Sequence, residues 1–283
     1  MPSMQRATKL GLLILIFVAT LAIGEMKKEY RFNVGPKASV SVLNQYGPIS
    51  VKPSSSNQIV VTAILHSDKV EVDNDQSGNR VDIKSHLLPG ATSENGRVDY
   101  EVLVPADASV TVYSPTGPLR AEKLQGDLTL QGSAATVDVN DVSNGHVHVK
   151  TLNGPVTLAN IHDGHVEITS VSGTVKLTDV SGPVVQVSST SGKIFYDGDF
   201  GSGGQYSLMS HSGDIEATIP PFASFDVTAR SVRGTVENDF PFLPKSHTSF
   251  AVIPGSSFAG TIGQAASSVV LKTFSGKIRL KKR

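Results

Sequence analysis

The chain has 283 residues, and its 25 Lys+Arg are balanced by 25 Asp+Glu, so no whole-protein field favours nucleic acid. It has no Cys, which excludes disulfides, thiolate metal ligands and a lipidated mature N-terminus. Stability must therefore come from the core and from ladder hydrogen bonds, for which about 259 residues from Glu25 onward are sufficient.

Residues 1–24 read as a secretory signal peptide. Arg6 and Lys9 form a basic start, 10–23 is almost wholly apolar, and Ala22-Ile23-Gly24 supplies small residues before a cleavage point after Gly24. A retained anchor is the alternative, although the apolar run is shorter than the ~20 residues of a normal span. The expected location is outside the cytoplasm: periplasm, cell surface or secreted, with no transmembrane segment after cleavage.

Residues 25–113 predict a β-rich N-terminal cap with strands near 39–43, 49–52, 58–65, 69–72, 80–83 and 97–104. Polar loops at 73–79 and 88–95 separate them. Gly47-Pro-Ile-Ser-Val already has the form of the repeat that dominates the remainder.

Residues 114–283 predict Gly-punctuated solenoid repeats, continuous with the cap. Gly145-His-Val-His-Val, Gly154-Pro-Val-Thr-Leu, Gly164-His-Val-Glu-Ile, Gly173-Thr-Val-Lys-Leu, Gly182-Pro-Val-Val-Gln-Val and Gly192-Lys-Ile-Phe-Tyr follow at steps of 9, 10, 9, 9 and 10. Two linker types alternate, so the true period is the pair. The fold class is an all-β parallel β-solenoid (β-helix) with two short strands per ~19-residue coil. Alternation sends Val147, Val149, Val156, Leu158, Val166, Ile168, Val175 and Leu177 to one face. Val147, Val166 and Val184 are expected in register. Leu152 over Val171, and Val142 over Ile161 over Val180, are expected as internal columns.

Beyond Gly192 the units at Gly213, Gly234, Gly260 and Gly276 are spaced more widely. Pro220-Pro221-Phe222 and residues 240–244 are the expected excursions. Lys277, Arg279, Lys281, Lys282 and Arg283 form a basic end. It reads as a solvated tail that blunts the last strand, or else as a contact for acidic glycan or lipid headgroups.

Several segments resemble an exported bacterial family known as putative adhesins, a β-solenoid domain of unknown function. They are Val98-Asp-Tyr-Glu-Val-Leu-Val-Pro105, Val110-Thr-Val-Tyr-Ser-Pro-Thr-Gly117, the Ser/Asn-Gly-x-Val/Ile units and Leu271-Lys-Thr-Phe-Ser-Gly-Lys-Ile-Arg-Leu280. The resemblance spans roughly 40–280. It implies the fold and an adhesion-like role, and it offers no catalytic residues.

The residues themselves leave three function classes. His146 and His148 flank Val147, and His165 and Glu167 flank Val166 one coil later. If the register of 19 holds, these four sit on adjacent strands, where a zinc ion could be accepted as the only cofactor. The plainer reading is an ordinary solvated sheet face. Asp127, Asp141, Asp163 and Asp179 could serve a carbohydrate-active enzyme, but corner Asp more commonly serves turns. The absence of Trp also removes the usual sugar platform. Gly198-Asp-Phe-Gly-Ser-Gly-Gly204 occurs once and reads as a loop between coils, not a tandem calcium repeat. The favoured expectation is a non-enzymatic exported scaffold or adhesion-like module of the cell envelope. Its partner would be an envelope polymer or protein that the sequence does not name.

Overall fold

The computed structural model describes residues 25–283, so the predicted signal peptide lies outside the described residues. The described chain forms strands and no helix, arranged in two sheets of 12 and 13 strands. Each coil gives one strand to each sheet, and successive coils pair in parallel.

Numbered along the stack, coil 1 is Arg80–Leu87 with Val98–Pro105, and coil 2 is Ser39–Leu43 with Ile49–Ser54. Coil 3 is Ser109–Tyr113 with Leu119–Leu124, and coil 4 is Leu128–Gly132 with Val137–Ser143. Coil 5 is Val147–Thr151 with Val156–His162, and coil 6 is His165–Ser170 with Val175–Val180. Coil 7 is Val184–Ser189 with Ile194–Asp197, and coil 8 is Gln205–Ser210 with Ile215–Ile219. Coil 9 is Ser268–Thr273 with Ile278–Lys282, and coil 10 is Phe225–Ser231 with Val236–Asn238.

Stack order is therefore not chain order. The first coil in sequence sits second, beneath residues 80–105. The last coil in sequence sits ninth, between coils 8 and 10. Both termini of the repeat region are tucked one rung inside the stack. Antiparallel strands cover the outer rungs: Gln58–Leu65 and Met26–Asn33 beyond coil 1 in one sheet, Val70–Ser77 in the other, and Ser257–Ile262 beyond coil 10. An end rung left bare would be an open pairing edge, and these strands cover part of that edge. Residues 220–224 carry the chain up two rungs at once. Residues 239–267 make the excursion that brings it back to fill the gap.

The interior follows from alternation. Val147, Val149, Val156, Leu158, Val166, Ile168, Val175 and Leu177 are all buried, within one apolar cluster that runs the length of the stack. Val142, Ile161 and Val180 pair in register and are buried, as expected. Two details differ from the sequence reading. Val166 pairs with Val185, while Val184 lies half-buried beside His165. Gly164 to Gly182 is one residue short of 19, and the extra residue in Gly182-Pro-Val-Val restores the strand register. Leu152 and Val171 are also not internal, being 47% and 40% exposed on an outer corner. Val171→Ser should accordingly change unfolding free energy by no more than about 0.5 kcal/mol, the range of an ordinary surface change. A thermal or denaturant melt checks this.

The corners explain the Ser/Thr-x-x-Gly spacing. Buried Ser114, Thr151, Ser210, Ser231 and Thr273 each accept a hydrogen bond from the N–H of the glycine three residues on. Ser114 also donates to the Gly47 carbonyl at 2.8 Å, Ser231 to Gly276 at 2.7 Å and Thr273 to Gly213 at 3.1 Å. The hydroxyl thus closes its own turn and ties it to the rung below, which satisfies buried polar groups that would otherwise be costly. Where coils widen, aromatic side chains fill the space. The loop 198–204 turns Phe200 fully inward, against Tyr196, Tyr206 and Phe225 with ring centroids 4.7, 4.9 and 5.0 Å away. Burial pushes the Tyr196 hydroxyl far above its ordinary range, and it donates to the Val180 and Asp199 carbonyls.

Candidate functional site

The histidine face forms as the spacing implies, in two separate columns. His146 and His165 stack with ring centroids 4.6 Å apart and planes 8° from parallel. His148 pairs in register with Glu167, Nδ1 to Oε2 at 3.4 Å. Each column joins neighbouring strands, but the columns are two residues apart along the strand, about 6.6 Å. Among the described residues no three His, Asp or Glu side chains converge in a set that could hold a metal ion. His162 belongs to a corner, with Nδ1 3.0 Å from the Ser181 hydroxyl and Nε2 3.5 Å from Asp179.

Of the carboxylates singled out in sequence, Asp127 and Asp163 sit in corners, while Asp141 and Asp179 lie within Val137–Ser143 and Val175–Val180 at positions that drop out of the ladder. Asp141, Asp163 and Asp179 adopt the left-handed region at φ 56°, 58° and 52°. Asp and Asn tolerate that conformation better than most residues. Asn160, at φ 55°, sits between Asp141 and Asp179 in the same column, and its amide donates to Asp141 at 2.9 Å. Asp127 accepts the backbone N–H of His146 at 3.0 Å.

The basic C-terminus is neither free nor on an edge strand of its sheet. Ile278–Lys282 lies between Ile215–Ile219 and Val236–Asn238. Lys277 and Arg279 pair with Glu237, Arg279 and Lys281 with Glu216, and Arg283 with Asp197. Lys282 lies over the Phe240 ring at 5.3 Å. Lys277 and Arg279 together hold the Glu237 carboxyl below its usual range, the Lys277 hydrogen bond being the larger cause. The tail of the sequence reading is thus an internal strand whose charges are spent on its neighbours.

A cavity opens elsewhere, across coils 1 to 3. It holds about 440 Å³ between Tyr46, Ser50, Ser93, Arg97, Thr116 and Arg120, floored by Gly47-Pro48 and Gly117-Pro118. A neighbouring hollow of about 310 Å³ shares Ser50 and Arg120 and continues past Lys52, Glu122, Asp138 and Asn140. Ser50 creates the dip, because its short side chain stands in register between the longer Glu101 and Arg120. Arg97 is held by Asp99 through two hydrogen bonds at 2.7 and 2.8 Å, and Lys52 pairs with Glu122 at 3.2 Å. Among the described residues no ion pair forms to Arg120, although Asp138 stands beside it in the next strand.

A model of the Toastrack DUF4097 family matches residues 39–281. The chain belongs to this family. The chain is also similar to a solved structure described as a putative adhesin from Bacteroides fragilis NCTC 9343. Identity is 12% over 91% of this chain and 98% of that one, with a TM-score of 0.49. A second, described as a putative cell adhesion protein from Clostridium sporogenes ATCC 15579, shares 11% identity over 92% of this chain and 100% of that one, with a TM-score of 0.28. No curated protein matches the chain.

Within this Toastrack stack, sequence reasoning found the histidine columns and missed the cleft. Tyr46, Arg97 and Arg120 are far apart in sequence. They meet only because coil 2 slides between segments that follow it in the chain. The available signal was modest: Gly47-Pro48 and Gly117-Pro118 repeat the same corner, which places the residues around them on adjacent rungs.

Proposed function

We propose that the chain is a non-enzymatic exported module of the bacterial cell envelope that works by adhesion-like contact through its lateral faces. The observation that carries this reading is the use made of the polar groups. Asp141, Asp163 and Asp179 are held at left-handed backbone positions, Asp127 accepts a backbone N–H, and the C-terminal charges are spent on cross-strand pairs. What is left to meet a partner is the outer rows of two long sheets, held rigid by the stack. The partner is an envelope polymer or an envelope protein.

Fractionation of the native host, with mass spectrometry of the mature N-terminus, tests export. Export requires the chain outside the cytoplasm and beginning near Glu25, and an intact N-terminus in the cytosol sinks it. Retention of the purified mature chain on isolated envelope material tests adhesion. Turnover of envelope polysaccharide by the pure protein would reverse the non-enzymatic reading. Zinc calorimetry separates the metal-binding alternative: the two-column geometry predicts no stoichiometric uptake, and uptake that His146→Ala abolishes would establish a site there.

A further inference from the structure

We infer that the cleft spanning coils 1 to 3 binds a segment of an acidic polysaccharide, with a sugar carboxylate placed between Arg97 and Arg120. This deepens the adhesion reading and rests on it. Three features point to that ligand.

The first is charge. The larger hollow is lined by two guanidinium groups and by no carboxylate. Arg97 is oriented by Asp99, and Arg120 has no ion-pair partner among the described residues. A planar fork with unused donors suits a carboxylate, which accepts two parallel N–H bonds.

The second is size and continuation. Arg97 is rooted at the corner before Val98 on coil 1 and Arg120 on the strand of coil 3, on rungs either side of coil 2, and both line the same hollow. A space of about 440 Å³ between them accommodates a sugar ring with its acid group, and Tyr46 offers a ring face on its wall. The neighbouring hollow then presents Glu122, Asp138 and Asn140, which accept hydrogen bonds from sugar hydroxyls. An acid group followed by hydroxyl-bearing rings matches that order of donors and acceptors.

The third is position on the sheet. The cleft lies on the face of paired strands, where Ile49, Ser50 and Val51 are engaged in ladders to both neighbours. A peptide adding as an extra strand needs a free edge. Recognition here must come from side chains, as it does for a sugar chain.

The test is titration of the mature chain with an aldouronic oligosaccharide, one glucuronate followed by neutral rings, with neutral malto-oligosaccharide, glucuronate monomer and inorganic phosphate as separate arms. The aldouronic oligosaccharide should bind measurably, weaken as salt is raised, and exceed both small anions, while the neutral oligosaccharide shows no binding. Arg120→Ala should weaken binding of the aldouronic oligosaccharide about tenfold, the worth of one charge-assisted contact. Arg120→Lys should recover only part of it. Lys281→Ala, at the far end of the same sheet, should change nothing. Arg120 is exposed, so an unchanged melting curve confirms that the fold is intact. Equal affinity for phosphate and the aldouronic oligosaccharide, or equal binding by wild type and Arg120→Ala, overturns the assignment. Both proteins are also run on envelope material. If wild type is retained there and Arg120→Ala is retained equally, only the cleft assignment fails. If wild type is not retained at all, the adhesion reading fails as well.

Discussion

Removing residues 265–283 should cost the protein far more than the loss of one terminal coil, because that segment is the ninth rung and not the last. In a stack built in chain order, a C-terminal deletion exposes one new edge and leaves the remaining coils as they were. Here it empties a slot between coils 8 and 10. The deletion removes Val269, Leu271, Ile278 and Leu280, all fully or almost fully buried. At about 1.5–3 kcal/mol for each buried aliphatic side chain, the direct loss is of order 10 kcal/mol, comparable with the whole stability of a typical domain. Coils 8 and 10 each lose a parallel partner on both sheets at once. Limited proteolysis and hydrogen exchange should therefore show residues 205–262 unprotected in the truncated chain, with coils 4 to 6 still protected. Supplying the peptide 265–283 in trans should restore part of that protection. Unchanged protection over 205–238 would mean that coil 10 docks directly on coil 8.

The charges argue against that direct docking. Along one outer row Glu216 pairs in register with Arg279, and Arg279 with Glu237. Arg279 reaches both carboxylates, at 3.7 and 3.3 Å. With coil 9 absent, closure of coil 10 onto coil 8 in the same register sets Glu216 directly against Glu237, and like charges opposite one another on neighbouring strands destabilise the pair. The hydrophobic and Gly corner patterns of coils 8, 9 and 10 are nearly interchangeable. The sign of the charge distinguishes the middle rung from its neighbours, so the ion ladder selects stack order even though each exposed pair contributes little to stability.

The distinction between period and order separates what the sequence disclosed from what it did not. Alternation and the 19-residue pair of linkers are local properties, and they placed Val147, Val166, Leu158 and Leu177 in the core and His148 opposite Glu167. They also predicted the zone of excursions between Gly192 and Gly260. What they could not reveal is which rung a segment joins, because every rung offers the same ladder and the same corner. Hence the tail of basic residues looked like an edge, and Arg97 and Arg120 looked unrelated. Leu152 and Val171 misled for a different reason. An apolar residue at a corner belongs to neither strand's alternation, and in Thr151-Leu-Asn-Gly the position turned inward is the hydroxyl of Thr151, which closes the turn with Gly154.

Gly173→Ala should be among the most damaging single-methyl additions in the molecule, and for a reason unrelated to backbone freedom. A Cβ built on Gly173 would lie 2.0 Å from the carbonyl oxygen of Gly154, and the same contact recurs at Gly192 against Gly173 and at Gly213 against Gly192. The obstacle is backbone in the rung below, held by parallel ladders on both sides of the corner. It cannot move without separating two coils. A methyl group in that position is overpacking without an escape route, so about 3 kcal/mol or more is expected, at the upper end of such changes. At 2–4 °C per kcal/mol for a domain of this size, the melting point should fall by roughly 6–12 °C. Gly90→Ala is the control. Gly90 has φ +83° and open space around its Cβ position, so it should cost about 1 kcal/mol through backbone strain alone. If the two variants melt alike, the glycine columns are needed for their dihedral angles, and close approach of successive corners is not what brings the rungs into register. If Gly173→Ala is much the worse, a column of missing side chains is what lets a 19-residue period close into a stack.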